Sequence, residues 1–237
     1  MARSIPIFRF KQFGIAQNKC AMKVGTDGTL LGAWVKAYNP QQILDIGAGT
    51  GLISMMLAQR FENAQIKAID IDVSASQQAS ENFQNTAWSK RLSVEHISLQ
   101  DLQQPSPFDL IVSNPPYFEN NLKANNKQRS QARHTDTLSF ETLIKFSTKL
   151  LNKNGSLAII LPSVSKGKVE MIALKYHLHL NRLCWVKGTK KKAIKRALLQ
   201  FSFQEKPLEE KTLVIEKERH VYTDEYTQLC KEFYLKM

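Results

Sequence analysis

The fold is decided by one continuous segment, Gln42-Ile-Leu-Asp-Ile-Gly-Ala-Gly-Thr-Gly-Leu-Ile-Ser-Met-Met-Leu-Ala58. Its β-branched start predicts a buried strand, and the apolar residues from Leu52 onward have helical spacing. Between them, the glycines at Gly47, Gly49 and Gly51 let the backbone approach a ligand closely. A dinucleotide fingerprint would need its third glycine at position 52, where this chain has leucine. The segment therefore predicts an α/β sheet with a ligand at the glycine loop, and it disfavours a nicotinamide cofactor.

Acidic residues follow the next two predicted strands. The strand at 66–71 carries Asp70, about 20 residues after the glycine loop, where a carboxylate can accept both hydroxyls of a ribose. Asp72 is expected instead to cap the helix that follows. A third strand at 92–97 leads to Asp101, which taken alone is more often a turn residue.

A fourth predicted strand, at 110–112, leads into the sequence Ser113-Asn-Pro-Pro-Tyr117. Because two prolines cannot continue a sheet ladder, the amide of Asn114 is held on a stiff turn at the carboxyl end of a strand. In open α/β sheets that edge is where ligands bind. The alternative is a Pro-rich turn with no function.

The whole chain, residues 1–237, is expected to form one domain. Residues 1–40 predict an N-terminal arm and a lead-in helix that is capped by Thr26 or Asp27. Further elements are predicted as a helix at 140–151, a strand at 156–161, a helix around 171–178, an antiparallel hairpin from 183–186 and 197–203, and a terminal amphipathic helix at 223–236.

The formal charge of +12 favours a polyanionic partner, with nucleic acid ahead of a membrane. The stretch Lys187 to Arg196 has six basic residues in ten. Such a run is often a solvated loop, but in a chain of this charge it is also a candidate for phosphate contact. A second basic stretch, at 120–134, is read equally as a linker or as a loop that orders on substrate. The candidate RNA-binding residues are Arg133, Lys190, Lys191, Lys192, Lys195 and Arg196.

Several classes of protein are disfavoured by composition. The three cysteines include no Cys-x-x-Cys pair, which argues against a disulfide framework and against a zinc cluster. No apolar run approaches the roughly 18 residues of a membrane span, and the start of the chain has no secretory pattern. We therefore expect a cytoplasmic monomer without a metal ion.

The order of these features resembles that of the class I S-adenosylmethionine-dependent methyltransferases. The features are the glycine loop, Asp70, Asp101 and Asn-Pro-Pro-Tyr, each after a predicted strand. The resemblance implies a Rossmann-like α/β fold with a mostly parallel seven-stranded sheet, a C-terminal antiparallel hairpin and helices on both faces. It implies S-adenosylmethionine as cofactor, and a role for Asp101 as acceptor of the adenine amine. The cofactor-binding residues it implies are Asp45, Gly47, Gly49, Gly51, Asp70, Asp101 and Asn114.

The Asn-Pro-Pro-Tyr sequence resembles the target-amine motif of amino-methyltransferases. An adenine amine is a poor nucleophile, because its lone pair is conjugated with the ring. Two acceptors aimed at its hydrogens, the Asn114 side chain and the Pro115 carbonyl, would favour a pyramidal nitrogen. Pro116 stiffens the turn, and Tyr117 can stack on a flipped base. Positioning then supplies most of the catalysis, and no strong general base is needed.

Two N-terminal sequences, Phe10-Lys-Gln-Phe-Gly-Ile15 and Cys20-Ala-Met-Lys-Val-Gly-Thr-Asp-Gly-Thr-Leu-Leu-Gly-Ala-Trp34, resemble the signature of the bacterial tRNA1(Val) adenine-N6-methyltransferases. The likeness covers nearly the whole chain. It implies as substrate the adenine at position 37, beside the anticodon, and as partner the anticodon stem-loop of a tRNA. It also implies that Lys23, Thr26 and Asp27 border the methionine end of the cofactor.

Two other functions remain open. Glutamine methyltransferases of release factors share Asn-Pro-Pro-Tyr, although the charge of +12 and the lack of an extra N-terminal helical domain favour RNA. A non-catalytic RNA-binding protein would have no use for Asn114.

Overall fold

The structure is a computed structural model and describes residues 7–20, 22–103, 107–116 and 138–237. Near the N-terminus, β1 (Ile7–Arg9) and β2 (Gly14–Ala16) pair as an antiparallel hairpin. The other strands in chain order are β3 (Gln42–Ile46), β4 (Gln65–Asp70), β5 (Leu92–His96), β6 (Phe108–Ser113), β7 (Leu151–Pro162), β8 (His179–Thr189), β9 (Ile194–Ser202), β10 (Glu209–Glu218) and β11 (Val221–Tyr222). The α-helices are α1 (Thr26–Trp34), α2 (Leu52–Arg60), α3 (Val73–Gln84), α4 (Phe140–Leu150), α5 (Lys166–Lys175) and α6 (Asp224–Cys230).

In the described part of the chain, the main sheet has nine strands in the order β11-β10-β8-β9-β7-β6-β3-β4-β5. Strands β5, β4, β3, β6 and β7 are parallel, whereas β9 is antiparallel to both β7 and β8. The predicted count of seven strands was too low. The two additional strands are β10, which pairs in parallel with β8, and the short β11 at the sheet edge.

The order of the strands creates a crevice at the carboxyl ends of β3 and β6. The chain runs outward from β3 through β4 to β5 and then returns to the other side of β3 as β6. Ligands bind at such reversals in open α/β sheets. The connections on either side of this point carry the glycine loop and Asn114.

Helices cover both faces of the sheet, as predicted. Leu30, Met56 and Tyr226, from α1, α2 and α6, belong to one buried cluster, which also includes Phe83 of α3. A second buried cluster lies on the other face and includes Leu143 of α4, with Val169 of α5. The sheet thus divides the core into two layers.

The helix starts agree with the sequence in one case and differ in another. Asp72 caps α3 as predicted, because its side chain accepts from the backbone N–H groups of Ser74 (2.7 Å) and Ala75 (3.2 Å). The predicted side-chain cap of α1 was wrong, since its N-cap is Gly25, which makes no side-chain cap hydrogen bond. The terminal helix was predicted too long, because α6 ends at Cys230.

Gly51 is expected to tolerate no side chain, and Gly51→Ala should lower the free energy of unfolding by at least about 2 kcal/mol. Its φ of +79° lies in the left-handed region, which costs an ordinary residue about 1–2 kcal/mol. An added Cβ would also lie 2.4 Å from Cε1 of the buried Phe83, and such overpacking costs about 1–3 kcal/mol. Urea denaturation of both proteins measures the difference.

The matched control is Gly167→Ala, at the start of α5. A Cβ added there meets no atom within 4 Å, and alanine is the better helix former by about 1 kcal/mol. Equal urea midpoints for Gly51→Ala and Gly167→Ala would contradict the packing argument.

Candidate active site

Four neighbouring strand ends bring the sequence-predicted residues together. In sheet order β5, β4, β3, β6, the segments that follow these strands carry Asp101, Asp70, the glycine loop at 47–51 and Asn114. Neighbouring strands lie about 4.8 Å apart, so this strand-end row spans roughly 14 Å. All four features therefore face one edge of the sheet, although they are up to 67 residues apart in the chain (Gly47 to Asn114).

The glycine loop is an open cradle. Gly47 and Gly49 have φ values of +73° and +55°, and a Cβ added to either would meet no atom within 4 Å. The N–H groups of Gly47 and Ala48 donate to the carbonyl of Ile69, at 2.9 and 3.1 Å, which fixes the loop against the end of β4. A ligand can therefore approach the backbone of this loop closely.

Asp70 is bonded directly to this cradle. Its Oδ2 accepts from the N–H of Gly49 at 2.8 Å, and its Oδ1 accepts from the N–H of Asp72 at 2.9 Å. The carboxylate is half-buried at the end of β4. Each oxygen keeps a second acceptor position, so the group can hold the loop and still accept hydroxyls of a ligand.

Asp45 lies behind the loop rather than on its surface. The residue is fully buried, and its Oδ2 accepts from the N–H (3.1 Å) and the hydroxyl (2.7 Å) of Ser54 in α2. Its Oδ1 has no hydrogen-bond partner among the described residues. Burial raises the pKa of Asp45 to about 6, against the lowering effect of the Ser54 bonds and with a further raising effect from the charge of Asp70. The described contacts of this carboxylate thus connect β3 to α2, and one buried oxygen remains available.

The N-terminal segment forms a wall beside the cradle, which sequence reasoning missed. Asn82 of α3 accepts from the N–H of Ala16 (3.0 Å) and donates to the carbonyls of Ala16 and Thr50 (both 2.9 Å). One turn earlier, Gln78 accepts from the N–H of Lys19 at 3.1 Å. The sequence did carry a sign of this wall: Gln78 and Asn82 are polar residues four positions apart on one helix. Both are buried, and buried polar groups need hydrogen-bond partners.

Further along this wall, Cys20 lies near Asp70. Burial, with the charges of Asp70 and Asp72, raises the pKa of Cys20 to about 11. At the start of α1, a Cβ added to Gly28 would lie 3.0 Å from Leu52, the residue after the glycine loop. The start of α1 is therefore close to the glycine loop in space; of the implied cofactor residues in this segment, Asp27 directly precedes Gly28, and Lys23 and Thr26 are exposed.

Asn114 is half-buried directly after β6. The preceding Ser113 is buried and donates its hydroxyl to the carbonyl of Ile46 at 2.8 Å, which ties the end of β6 to the end of β3. Pro115 is buried and Pro116 is exposed. The amide thus follows a strand end that is bonded to the strand leading into the glycine loop. Two other predicted site residues, Tyr117 and Arg133, lie outside the described residues.

The predicted RNA-binding residues fall into two groups. Lys190, Lys191 and Lys192 are exposed in the turn between β8 and β9, at the same edge as the strand-end row, and Lys195 is exposed beside them. Arg196 instead forms an ion pair with Asp27 at the start of α1, with 2.7 Å between Nε and Oδ2. Only the lysines are therefore directed wholly to solvent, whereas Arg196 also connects β9 to α1.

Within the described ranges, no three His, Cys, Asp or Glu residues come together in a way that could hold a metal ion. In the same part of the chain, no helix is both long and apolar enough to cross a membrane.

Comparison with known sequences gives a family match and close relatives. Residues 20–179 match the Methyltransferase small domain family. A tRNA1(Val) (adenine(37)-N6)-methyltransferase of Flavobacterium psychrophilum is 49% identical over 98% of this chain and 100% of its own length. One of the same name from Trichodesmium erythraeum is 48% identical over 97% of this chain and 98% of its own.

Solved structures resemble this chain in fold. Atu636 of Agrobacterium tumefaciens, described as a predicted O-methyltransferase, aligns with a TM-score of 0.68 over 87% of this chain and 96% of its own, at 19% identity. The ribosomal protein L11 methylase of Lactobacillus delbrueckii subsp. bulgaricus gives a TM-score of 0.51 over 75% of this chain and 77% of its own, at 20% identity. The fold is that of the class I methyltransferases.

Proposed function

The chain belongs to the tRNA1(Val) (adenine(37)-N6)-methyltransferase family, and we propose that it transfers a methyl group from S-adenosylmethionine to the exocyclic N6 of adenine 37 in tRNA1(Val). One observation carries the proposal. Asn114 stands in the strand-end row between the glycine loop on β3 and the basic turn at the ends of β8 and β9. Asn114, whose amide can hold an amine, thus lies between two parts of the site: the cofactor half, formed around the glycine loop, and the RNA half, formed around the basic turn.

In this proposal the cofactor half consists of the cradle and its neighbours. Gly47, Gly49 and Gly51 allow close approach, Asp70 accepts the ribose hydroxyls and Asp101 accepts the adenine amine. When bound, S-adenosylmethionine supplies an electrophilic methyl carbon on a sulfonium sulfur. The remaining proposed contacts are Lys23, Thr26, Asp27, Asp45 and Asn114. Support comes from the open space above the cradle and from the bond between Gly49 and Asp70.

The target amine is held by the turn after β6. The Asn114 side-chain oxygen and the Pro115 carbonyl each accept one N–H of the adenine N6, which favours a pyramidal nitrogen with its lone pair directed at the methyl group. Pro116 restricts the turn. Tyr117 stacks on the flipped base, and unstacking that base costs a few kcal/mol. The buried Ser113 hydroxyl bond supports this role, because it fixes the strand end that carries the amide.

The RNA half is proposed to bind the anticodon stem-loop through Lys190, Lys191, Lys192 and Lys195, with Arg133 and Arg196 as further candidates. We place the protein in the cytoplasm as a monomer, and we treat residues 1–237 as one methyltransferase domain without a metal ion. The charge of +12 supports a polyanionic partner.

The direct test is methyl transfer from labelled S-adenosylmethionine into a tRNA1(Val) transcript, followed by nucleoside analysis. Label in N6-methyladenosine is expected with adenine at position 37, and none with guanine there. A release factor supplied in place of RNA tests the glutamine alternative. Label in that protein, with none in RNA, would overturn the proposal.

The basic turn yields a prediction of its own. Replacing Lys190, Lys191 and Lys192 together with alanine should weaken tRNA binding and flatten its dependence on salt. Each lost phosphate contact lowers the slope of log Kd against log salt by roughly 0.7–0.9, because fewer counterions are released. Fluorescence anisotropy with labelled tRNA at four salt concentrations measures the slope.

The matched control replaces Lys90, Lys153 and Lys206, three exposed lysines at the opposite edge of the sheet. It removes the same net charge far from the turn. Equal slopes for both triple variants would show that net charge alone sets RNA affinity, and the turn would then be a solvated loop. The dissociation constant for S-adenosylmethionine should be unchanged in both.

A further inference from the structure

A cavity of about 400 Å³ opens beyond the basic turn. Its walls come from four parts of the chain: the β1–β2 hairpin, the first residue of α1, the β10–β11 edge, and α6 with the residues that follow it. The lining residues are Phe8, Arg9, Thr26, Ile215, Glu216, Tyr222, Tyr226, Tyr234, Leu235, Lys236 and Met237. Its volume falls within the range of about 300–1,000 Å³ typical of small-molecule sites.

The lining is rich in aromatic rings. Phe8, Tyr222, Tyr226 and Tyr234 all contribute, and the rings of Tyr222 and Tyr226 are tilted with their centroids 5.2 Å apart. Tyr222 is 39% exposed, whereas Tyr226 is 3% exposed. Exposed aromatic rings offer a π-face on which any nucleobase can stack.

The polar groups favour a base over a phosphate inside the cavity. Glu216 lines the cavity and pairs with Tyr222 across β10 and β11, and its Oε1 accepts from the N–H of His220 at 3.4 Å; the negative charge would repel a phosphate. A carboxylate accepts hydrogen bonds from the amine or imino groups of a base edge. Arg9 and Lys236 are exposed and can meet the flanking phosphates. The cavity thus combines stacking surface, an acceptor and cations.

The position of the cavity suits a nucleic acid that already contacts the basic turn of Lys190, Lys191 and Lys192. The carboxyl end of β10 lies at the same edge as the strand-end row, and four strand spacings separate β10 from β6. At about 4.8 Å each, that distance is about 19 Å, with the β8–β9 turn lying between. A nucleic acid that crosses this turn from Asn114 would arrive at the cavity within a few nucleotides.

We propose that this cavity takes an unstacked nucleobase of the tRNA outside the methylated position, and the proposal rests on the proposed function. Tyr222 supplies the stacking face and Glu216 accepts from the base edge. The cavity therefore acts as a second nucleotide site, which adds to the affinity of the protein for the anticodon loop.

The test compares Tyr222→Ala, Tyr222→Phe and the control Tyr38→Ala for binding to an unmodified tRNA1(Val) transcript. Tyr38 is fully exposed in the segment between α1 and β3, at the opposite edge of the sheet. We expect Tyr222→Ala to raise Kd by about tenfold, in line with the loss of one stacked base. Tyr222→Phe and Tyr38→Ala should stay within about twofold of the wild type, since stacking needs only the ring.

Turnover separates this inference from the proposed function. Tyr222→Ala should raise the KM for tRNA while kcat and the Kd for S-adenosylmethionine are unchanged. Unchanged tRNA binding by Tyr222→Ala, in a protein whose wild type forms N6-methyladenosine, would overturn the second site alone. Equal losses in Tyr222→Ala and Tyr222→Phe would also overturn it, because they would indicate a hydroxyl bond. A wild type that forms no N6-methyladenosine would overturn the proposed function itself.

Discussion

An Asn114→Ala variant is expected to lose at least about a hundredfold in kcat, because removing one preorganised hydrogen-bonding group at a reacting centre costs about 10²–10³ in rate. The Kd for S-adenosylmethionine should rise by only a few-fold, since Asn114 is one of many proposed cofactor contacts and the glycine loop and Asp70 are unchanged. The alanine cannot accept from N6, so the amine lone pair stays conjugated with the ring. Single-turnover methyl transfer and calorimetry measure the two quantities.

Two further variants make the Asn114 result interpretable. Asn114→Asp keeps an acceptor oxygen at the same position and should retain more activity than Asn114→Ala. Asn63→Ala removes an exposed amide just before β4, at the opposite edge of the sheet, and should be indistinguishable from the wild type. If Asn114→Ala kept more than a tenth of the wild-type kcat, the amide would have no part in the chemistry.

Asp70→Ala should weaken S-adenosylmethionine binding by about a hundredfold. Two charge-assisted bonds to ribose hydroxyls contribute about 1.5–3 kcal/mol each, and about 3 kcal/mol corresponds to two decades in Kd. The same substitution removes the acceptor of the Gly49 N–H, so the cradle itself becomes less fixed. Both effects act in the same direction on cofactor affinity, which isothermal titration calorimetry measures.

The neighbouring Asp72→Ala provides the comparison. Its side chain caps α3 through Ser74 and Ala75, and loss of such a cap costs about 1 kcal/mol of stability. Its Kd for the cofactor should change little. If Asp72→Ala had the larger effect on affinity, the assignment of the two carboxylates would be reversed.

The parallel half of the sheet could be predicted because its information is local. Strands β3, β4 and β6 are short, largely apolar runs with a glycine, an acid or a proline at the end or within two residues of it. Asp72 is a clear case, because a cap bonds N–H groups two and three residues away. The residues of the strand-end row were found for the same reason.

The far edge of the sheet could not be predicted from such patterns. The strand β10 begins Glu209-Glu-Lys-Thr and has few buried positions, so its sequence has neither a buried run nor a clear alternation. It is a strand because it pairs in parallel with β8, a contact that no residue of β10 encodes alone. The predicted seven strands therefore became nine.

The roles of Arg196 and Asp27 also depend on a contact between distant parts of the chain, which sequence patterns do not predict. The sequence assigned one to RNA and the other to the cofactor, yet they form an ion pair across 169 positions of the chain. A charge run predicts where cations occur but not which of them finds an acid. The polar contacts of Asn82 were missed for the same reason, because its partner Ala16 is 66 residues away.

The contact between the two ends of the chain has a consequence for biosynthesis. Phe10 bridges to Tyr234, and the N–H of Lys11 donates to the carbonyl of Phe233 at 2.8 Å. On the ribosome, the hairpin emerges well before its partner segment, since Lys11 and Phe233 are 222 positions apart, so this contact forms only after the strands between them have been made. The parallel strands and the cradle can form earlier. A nascent chain can therefore gain its cofactor site before it gains the aromatic cavity, and a chain that stops short of residue 233 would lack one wall of that cavity.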